Sequence, residues 1–256
     1  MRSSFLGLIL TAGVVLGLSP TVSAQTTQSS GTTQAIPDLS GIWERRGMGP
    51  RPEPGLGSDG APEFGLLKEA PPMLPWAKQK YDAVRNGVLR NPYDKALDAF
   101  DPGQSCFPHG PTRLFTNPRP FEIRQLPGMV FFLFEFDHWV RRIYLDGRGH
   151  PDGYPITWMG HSIGRYEGDA LVADTTLLND KTWLDALGHP HSDALRVEER
   201  FRRPDHNTLQ IDFVFDDPKA YTKPWTGKKI YELMPPGFEV MEDYTCDDRL
   251  QLGVQR

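Results

Sequence analysis

The feature that most constrains this chain is a period-two alternation of apolar and polar residues running from Phe121 to Phe215, broken by short turns. Successive side chains of a strand point to opposite faces, so the alternation fixes which face is buried. Residues 121–126, 129–137 and 139–145 read as three strands, with Pro127-Gly128 turning between the first two. Residues 162–166 and 170–176 flank Glu167-Gly168-Asp169 as a hairpin, and 195–203 and 208–215 flank Pro204-Asp205-His206-Asn207 as another. Residues 230–233 and 238–245, around Pro235-Pro236-Gly237, read as a third. Hairpins in series with little helix predict a mainly β fold, a barrel or a sandwich, and the expected form is an antiparallel β-barrel with long Pro/Gly-rich loops and one or two short helices.

Upstream of the hairpins, residues 36–43 (IPDLSGIW) read as a short first strand ending in Trp43. Residues 47–75 are crowded with Gly and Pro, which predicts irregular chain. Trp76, Lys80 and Val84 recur at four-residue steps and predict a helix over 76–86. The proline-rich stretch 101–120 reads as loop.

One strand carries an anomaly. Leu195, Val197, Glu199 and Phe201 share a face, while Arg196, Glu198, Arg200 and Arg202 share the other. Glu199 therefore points into the core. A carboxylate there must be paired, protonated or in contact with water, because an isolated buried charge is very costly. A hollow barrel with a polar-lined pocket is the functional expectation, and an ion pair with Arg141 or Arg165 is the structural alternative.

The N-terminus reads as an export signal. Arg2 supplies a positive start, Phe5 to Leu18 form an uncharged apolar run, and Val22-Ser23-Ala24 offers small residues for cleavage. The run is shorter than the roughly 20 residues a spanning helix needs. The expected plan is a signal peptide over 1–24, a polar tether over 25–35 and a single barrel domain over 36–256, periplasmic or secreted, with no stable membrane anchor. Acidic residues outnumber basic ones, 33 to 28, without a polybasic tract. That charge pattern argues against nucleic acid as a partner. In an oxidising compartment the two cysteines, Cys106 and Cys246, are expected to form one disulfide.

The segments GHSIGRYEGDALVADTT (160–176), NDKTWLDALGHPHSDALRVEERFRR (179–203) and DDPKAYTKPWT (216–226) resemble a widespread family of exported, mostly uncharacterised bacterial proteins. The resemblance extends from about Pro37 to Cys246 and includes YLDGRGHP (144–151). Gly41-Ile42-Trp43 also resembles the first-strand Gly-x-Trp of lipocalin-type (calycin) barrels. That second resemblance implies a lipocalin-like barrel, although the long loops after the first strand depart from it.

The chemistry concentrates between His161 and Glu199. His161, Asp174, Asp185, His189, His191 and Glu199 are side chains that move protons near neutral pH, and together they are the expected acid–base centre. Arg141, Arg142, Trp183 and Tyr144 are the expected substrate-binding residues. His189-Pro190-His191 also places two imidazoles on one side of an extended segment. With His161 they would form an alternative site for one divalent metal such as zinc. Ser162 lacks the Gly-x-Ser-x-Gly elbow, and neither a Gly-x-Gly-x-x-Gly nor a Walker motif is present, so no organic cofactor is expected. The expectation is an exported lyase, isomerase or hydrolase acting on a small, partly apolar or aromatic molecule. The alternative is a periplasmic lipocalin-like carrier of an apolar ligand. The sequence leaves the oligomeric state open.

Overall fold

The computed structural model describes residues 36–45, 65–67, 70–86, 103 and 106–241. The expected signal peptide, tether and Cys246 lie outside them. Nine strands form one closed barrel in chain order: β1 Gly41–Arg45, β2 Phe121–Leu126, β3 Met129–Phe134, β4 Val140–Tyr144, β5 His161–Glu167, β6 Ala170–Thr176, β7 Arg196–Asp205, β8 Thr208–Asp216 and β9 Trp225–Leu233. One α-helix, α1, spans Pro75–Arg85 and starts at a proline, whose missing N–H costs nothing in a first turn. Among the described residues no helix is long and apolar enough to cross a membrane.

The mainly β barrel is therefore present, with two corrections. First, it is not wholly antiparallel. Strand directions in a closed ring of antiparallel neighbours can alternate only if the strand count is even, so nine strands require a parallel pair. That pair is β4 and β5, which touch at a single register position, Tyr144 opposite Ile163. Residues 145–160 supply the long crossover that a parallel pairing needs. Second, the third hairpin is absent among the described residues. β9 starts at Trp225 and pairs on both edges, with β8 and with β1, which closes the barrel and leaves no free edge. Residues 238–241 carry no strand, and 242–245 lie outside the described residues.

Alternation sorts the side chains as the sequence demands. Val197, Glu199 and Phe201 of β7 face inward with Phe213 and Ile211 of β8, all fully buried. Trp43 is also fully buried; its Nε1 donates to Leu39 O at 3.0 Å, and Arg203 lies over its ring.

The barrel centre is filled. Arg113–Thr116 form a single 3-10 turn that dips into the barrel and carries Phe115 to its axis. The Phe115 ring meets Phe121, Phe132, Phe134, Phe201, Phe213 and Tyr231 at centroid separations of 5.3 to 6.3 Å. The Tyr231 hydroxyl donates to Phe115 O at 2.5 Å and fixes the plug's backbone. The expected central hollow is thus replaced by an aromatic core, because a segment read as plain loop inserts Phe115 there.

Candidate functional site

The six expected acid–base residues do not share a pocket; they occupy three places. Strand alternation separates the first two groups. Ala173 and Thr175 face inward opposite Glu199 and Val197, so Asp174 between them faces out. Ser162 faces inward to Arg141, so His161 faces out as well. Asp185, His189 and His191 lie on the loop between β6 and β7, which covers one end of the barrel.

The inward group is an ion pair. Arg141 Nη1 donates to Glu199 Oε1 at 2.7 Å, and Nη2 bonds the second carboxylate oxygen. Nη2 also donates to Thr175 Oγ1 at 2.9 Å, and Thr175 in turn bonds Ser162 at 2.8 Å. The guanidinium lies 6.0 Å from the centres of Phe115 and Phe132. Neither Arg141 nor Glu199 reaches solvent, so the structural alternative for Glu199 holds, and Arg141 is not placed to bind substrate.

On the outer wall His161 stacks on Tyr144, and the crossover 145–160 folds over it. His150 Nδ1 and His161 Nδ1 stand 3.0 Å apart, Tyr154 meets the His161 ring edge-on, and Arg196 pairs with Asp174. Tyr144 therefore braces a histidine that the crossover buries against the outer wall. Arg142 is exposed on the same outer face, beside Phe131.

The third place is an imidazole–carboxylate dyad, built by a local fold. Trp183 bridges Pro190, and Leu184 N donates to His189 O at 2.9 Å, so residues 185–188 turn tightly between them. The Asp185 carboxylate opens that turn and accepts from Leu187 N at 3.0 Å and His189 N at 3.4 Å. Gly188 completes it at φ +92°, where a Cβ would come within 2.5 Å of Val84 on α1. The turn brings His189 back onto Asp185, and its Nδ1 lies 2.7 Å from Oδ2. With Nδ1–H given to Asp185, neutral His189 presents the lone pair of Nε2. That atom is buried and has no hydrogen-bond partner.

Aromatic rings wall the dyad. Tyr81 of α1 stacks on His189 at 4.4 Å, and Trp225 lies at 6.2 Å. Burial pushes the Tyr221 hydroxyl well above the usual phenol range, with Asp185 and Asp217 adding to the effect, and that hydroxyl donates to Pro190 O at 2.7 Å. Burial likewise raises the Tyr81 hydroxyl. Trp183 is buried beneath the Arg113 guanidinium and braces the loop from below. Asp217 holds the loop's far end by accepting from Ser192 N at 2.6 Å and Ser192 Oγ at 2.7 Å.

His191 is used up by structure: its Nδ1 lies 3.0 Å from Ser192 O and its Nε2 lies 2.6 Å from Thr182 Oγ1. The donor set His161, His189 and His191 is accordingly not gathered, and among the described residues no three His, Cys, Asp or Glu side chains are grouped to hold a metal. Tyr81, Trp225 and Asp217 escaped the sequence reading. Asp217 and Trp225 lie within the DDPKAYTKPWT segment, so the resemblance pointed to their stretch of chain without giving them a role.

Burial lowers the pKa of both His191 and His161 below the usual 6.5, and His150 and Arg148 lower His161 further. Between the lowered and ordinary values the unfolded chain binds more protons than the folded one. Stability is then whole above about pH 6.5 and falls as pH drops through that value. Thermal unfolding should occur at a lower temperature at pH 5 than at pH 7.5, and His191→Gln should flatten the dependence. A midpoint that rises on acidification would contradict this assignment.

Comparison with known proteins matches no family model to this chain and gives no significant match among curated proteins.

Proposed function

We propose that the chain is an exported enzyme that acts on a small, partly apolar molecule, with Asp185 and His189 as its acid–base pair. The observation that carries this reading is a buried imidazole held by a buried carboxylate at Nδ1 while its Nε2 lacks any partner. Buried polar atoms are almost always bonded, and each exception calls for an explanation, of which a catalytic role is one. Asp185 fixes the tautomer and supports the imidazolium; His189 Nε2 takes a proton from substrate and returns it. Lyase, isomerase and hydrolase chemistry all fit this cycle.

α1 is the movable wall of the site. Of its residues only Ala77 is buried, while Tyr81 covers His189, so a small outward shift of the helix admits a substrate to Nε2. Export belongs to the same reading, as does the Cys106–Cys246 disulfide that would tie the plug segment to the C-terminal end. A carrier of an apolar ligand would need room in the barrel centre, which Phe115 occupies.

The test is turnover. A panel of small carbonyl compounds and esters is incubated with the mature protein and with His189→Gln, and products are read by mass spectrometry. The variant should lose about 100-fold or more of the wild-type rate while unfolding at a similar temperature. Equal rates in the two proteins would remove His189 from the chemistry.

A further inference from the structure

The cap holds a second unpartnered atom, and it complements the first. Trp225 Nε1 is buried without a hydrogen-bond partner, as is His189 Nε2, and the two residues are only 6 % and 2 % exposed. Their rings stand 6.2 Å apart at 50°. An indole N–H can only donate, and a neutral imidazole whose Nδ1–H is committed to Asp185 can only accept at Nε2. Neighbouring polar groups of the cap are bonded: Asp185 to two backbone amides and His189, Tyr221 to Pro190, His191 to Thr182 and Ser192, and Asp217 to Ser192. Beside these bonded groups, a donor and an acceptor are left open on rings 6.2 Å apart.

Trp225 is held firmly enough to serve as a fixed donor. It is the first residue of β9, opposite Phe215, and its ring stacks on Phe215 at 4.1 Å and 23°. Tyr221 closes its other flank at 5.3 Å. The niche therefore offers one hydrogen-bond donor, one proton acceptor and aromatic walls. That combination suits a molecule with an oxygen to be held and a proton to be removed, carried on an apolar or aromatic body.

We propose that Trp225 Nε1 and His189 Nε2 form a two-point site for a small carbonyl compound, in which Trp225 holds the carbonyl oxygen and His189 removes a proton from the adjacent carbon. The inference rests on His189 as the base and adds its substrate class and a second catalytic residue. In the step, the C–H bond breaks and the proton goes to Nε2. The electron pair of that bond forms a carbon–carbon double bond, and the carbonyl π pair moves onto oxygen. The enolate oxygen then accepts from Trp225 N–H, a fixed donor in a site closed to water, while Asp185 supports the imidazolium. Where the substrate carries a β,γ double bond, the enolate is a dienolate. Its γ-carbon takes the same proton from Nε2 as the oxygen's pair re-forms the C=O and the remaining double bond moves into conjugation. This isomerisation needs no oxidant, reductant or co-reactant.

The probe is 4-nitrophenol, whose single oxygen on a planar ring imitates the enolate. It is titrated into the mature protein while indole N–H resonances are followed by NMR, with the Trp225 signal identified by its loss in Trp225→Phe. Saturable binding that moves this resonance downfield is expected, with affinity about tenfold weaker in Trp225→Phe, which keeps an aromatic ring and removes only the donor. Should that variant fold poorly, the Trp225 signal is assigned instead by its nuclear Overhauser contacts to the Phe215 and Tyr221 rings, and its shift in the wild-type protein decides by itself. Absence of binding, binding that leaves the Trp225 resonance in place, or undiminished affinity in Trp225→Phe would overturn the two-point site. If His189→Gln still abolishes turnover in that case, the dyad stands and only the carbonyl assignment falls; if His189→Gln turns over normally, both fall.

Discussion

Replacing Glu199 with leucine, with Arg141 retained, should lower the free energy of unfolding by about 3 to 5 kcal/mol. The reason is the charge left behind. Arg141 is fully buried, and both its terminal nitrogens reach the Glu199 carboxylate. Without that carboxylate the guanidinium keeps only Thr175 and Ser162 as partners, beneath the rings of Phe115 and Phe132. The pair itself is worth much less than its rupture suggests, because desolvating two charges offsets most of their attraction. Arg141→Met combined with Glu199→Leu should therefore recover most of the loss, and the double variant should be more stable than Glu199→Leu alone. Urea unfolding of the four proteins closes the cycle. A double variant no better than the single one, or a single variant within about 1 kcal/mol of wild type, would show that solvent or a rearranged partner reaches Arg141.

Local pattern made much of this fold legible. Residues 121–126 and 170–176 are strands with the expected bounds, and alternation in β7 correctly turned Glu199 inward toward one of its two named partners. Pairings that depend on distant chain were not legible. Which way His161 points depends on the register of β5 against β6, and a strand's first residue does not declare it. The parallel contact of β4 with β5, and the closure of β9 onto β1, follow from the strand count, which no single window of sequence contains. The dyad was half legible. Asp185 and His189 were both singled out, but their contact depends on the bridge between Trp183 and Pro190, and His191 was grouped with them although its nitrogens serve the backbone and Thr182. Tyr81 and Trp225 come from a helix and a strand remote in sequence, and only tertiary packing brings them to His189.

Phe115 is the residue that decides whether this barrel is a container. It lies in a proline-rich stretch without periodicity, so no pattern marked it as core, yet six aromatic rings surround it. Phe115→Ala should cost about 3 to 5 kcal/mol, the usual toll for deleting a buried ring whose surroundings relax only in part. Relaxation is limited here because Tyr231 holds the Phe115 carbonyl and the neighbouring Thr116 hydroxyl accepts from Ala186 N, so the plug's backbone stays seated when the ring is gone. The resulting void would be lined mainly by Phe121, Phe132, Phe134, Phe201 and Phe213, with the Tyr231 hydroxyl committed to the backbone and the Arg141 guanidinium, 6.0 Å from the Phe115 ring centre, committed to Glu199. An apolar cavity of that kind stays dry and takes up benzene. Added benzene should therefore raise the unfolding temperature of Phe115→Ala in a concentration-dependent way and leave wild type unchanged, since a ligand that binds only the folded state stabilises it by mass action. Equal benzene responses would mean that the wild-type centre already has room. A loss below about 1 kcal/mol would mean that the barrel collapses onto the gap. Only the first of these results would return the barrel centre to consideration as a ligand site; the cap, where Asp185 and His189 meet, rests on the unpartnered Nε2.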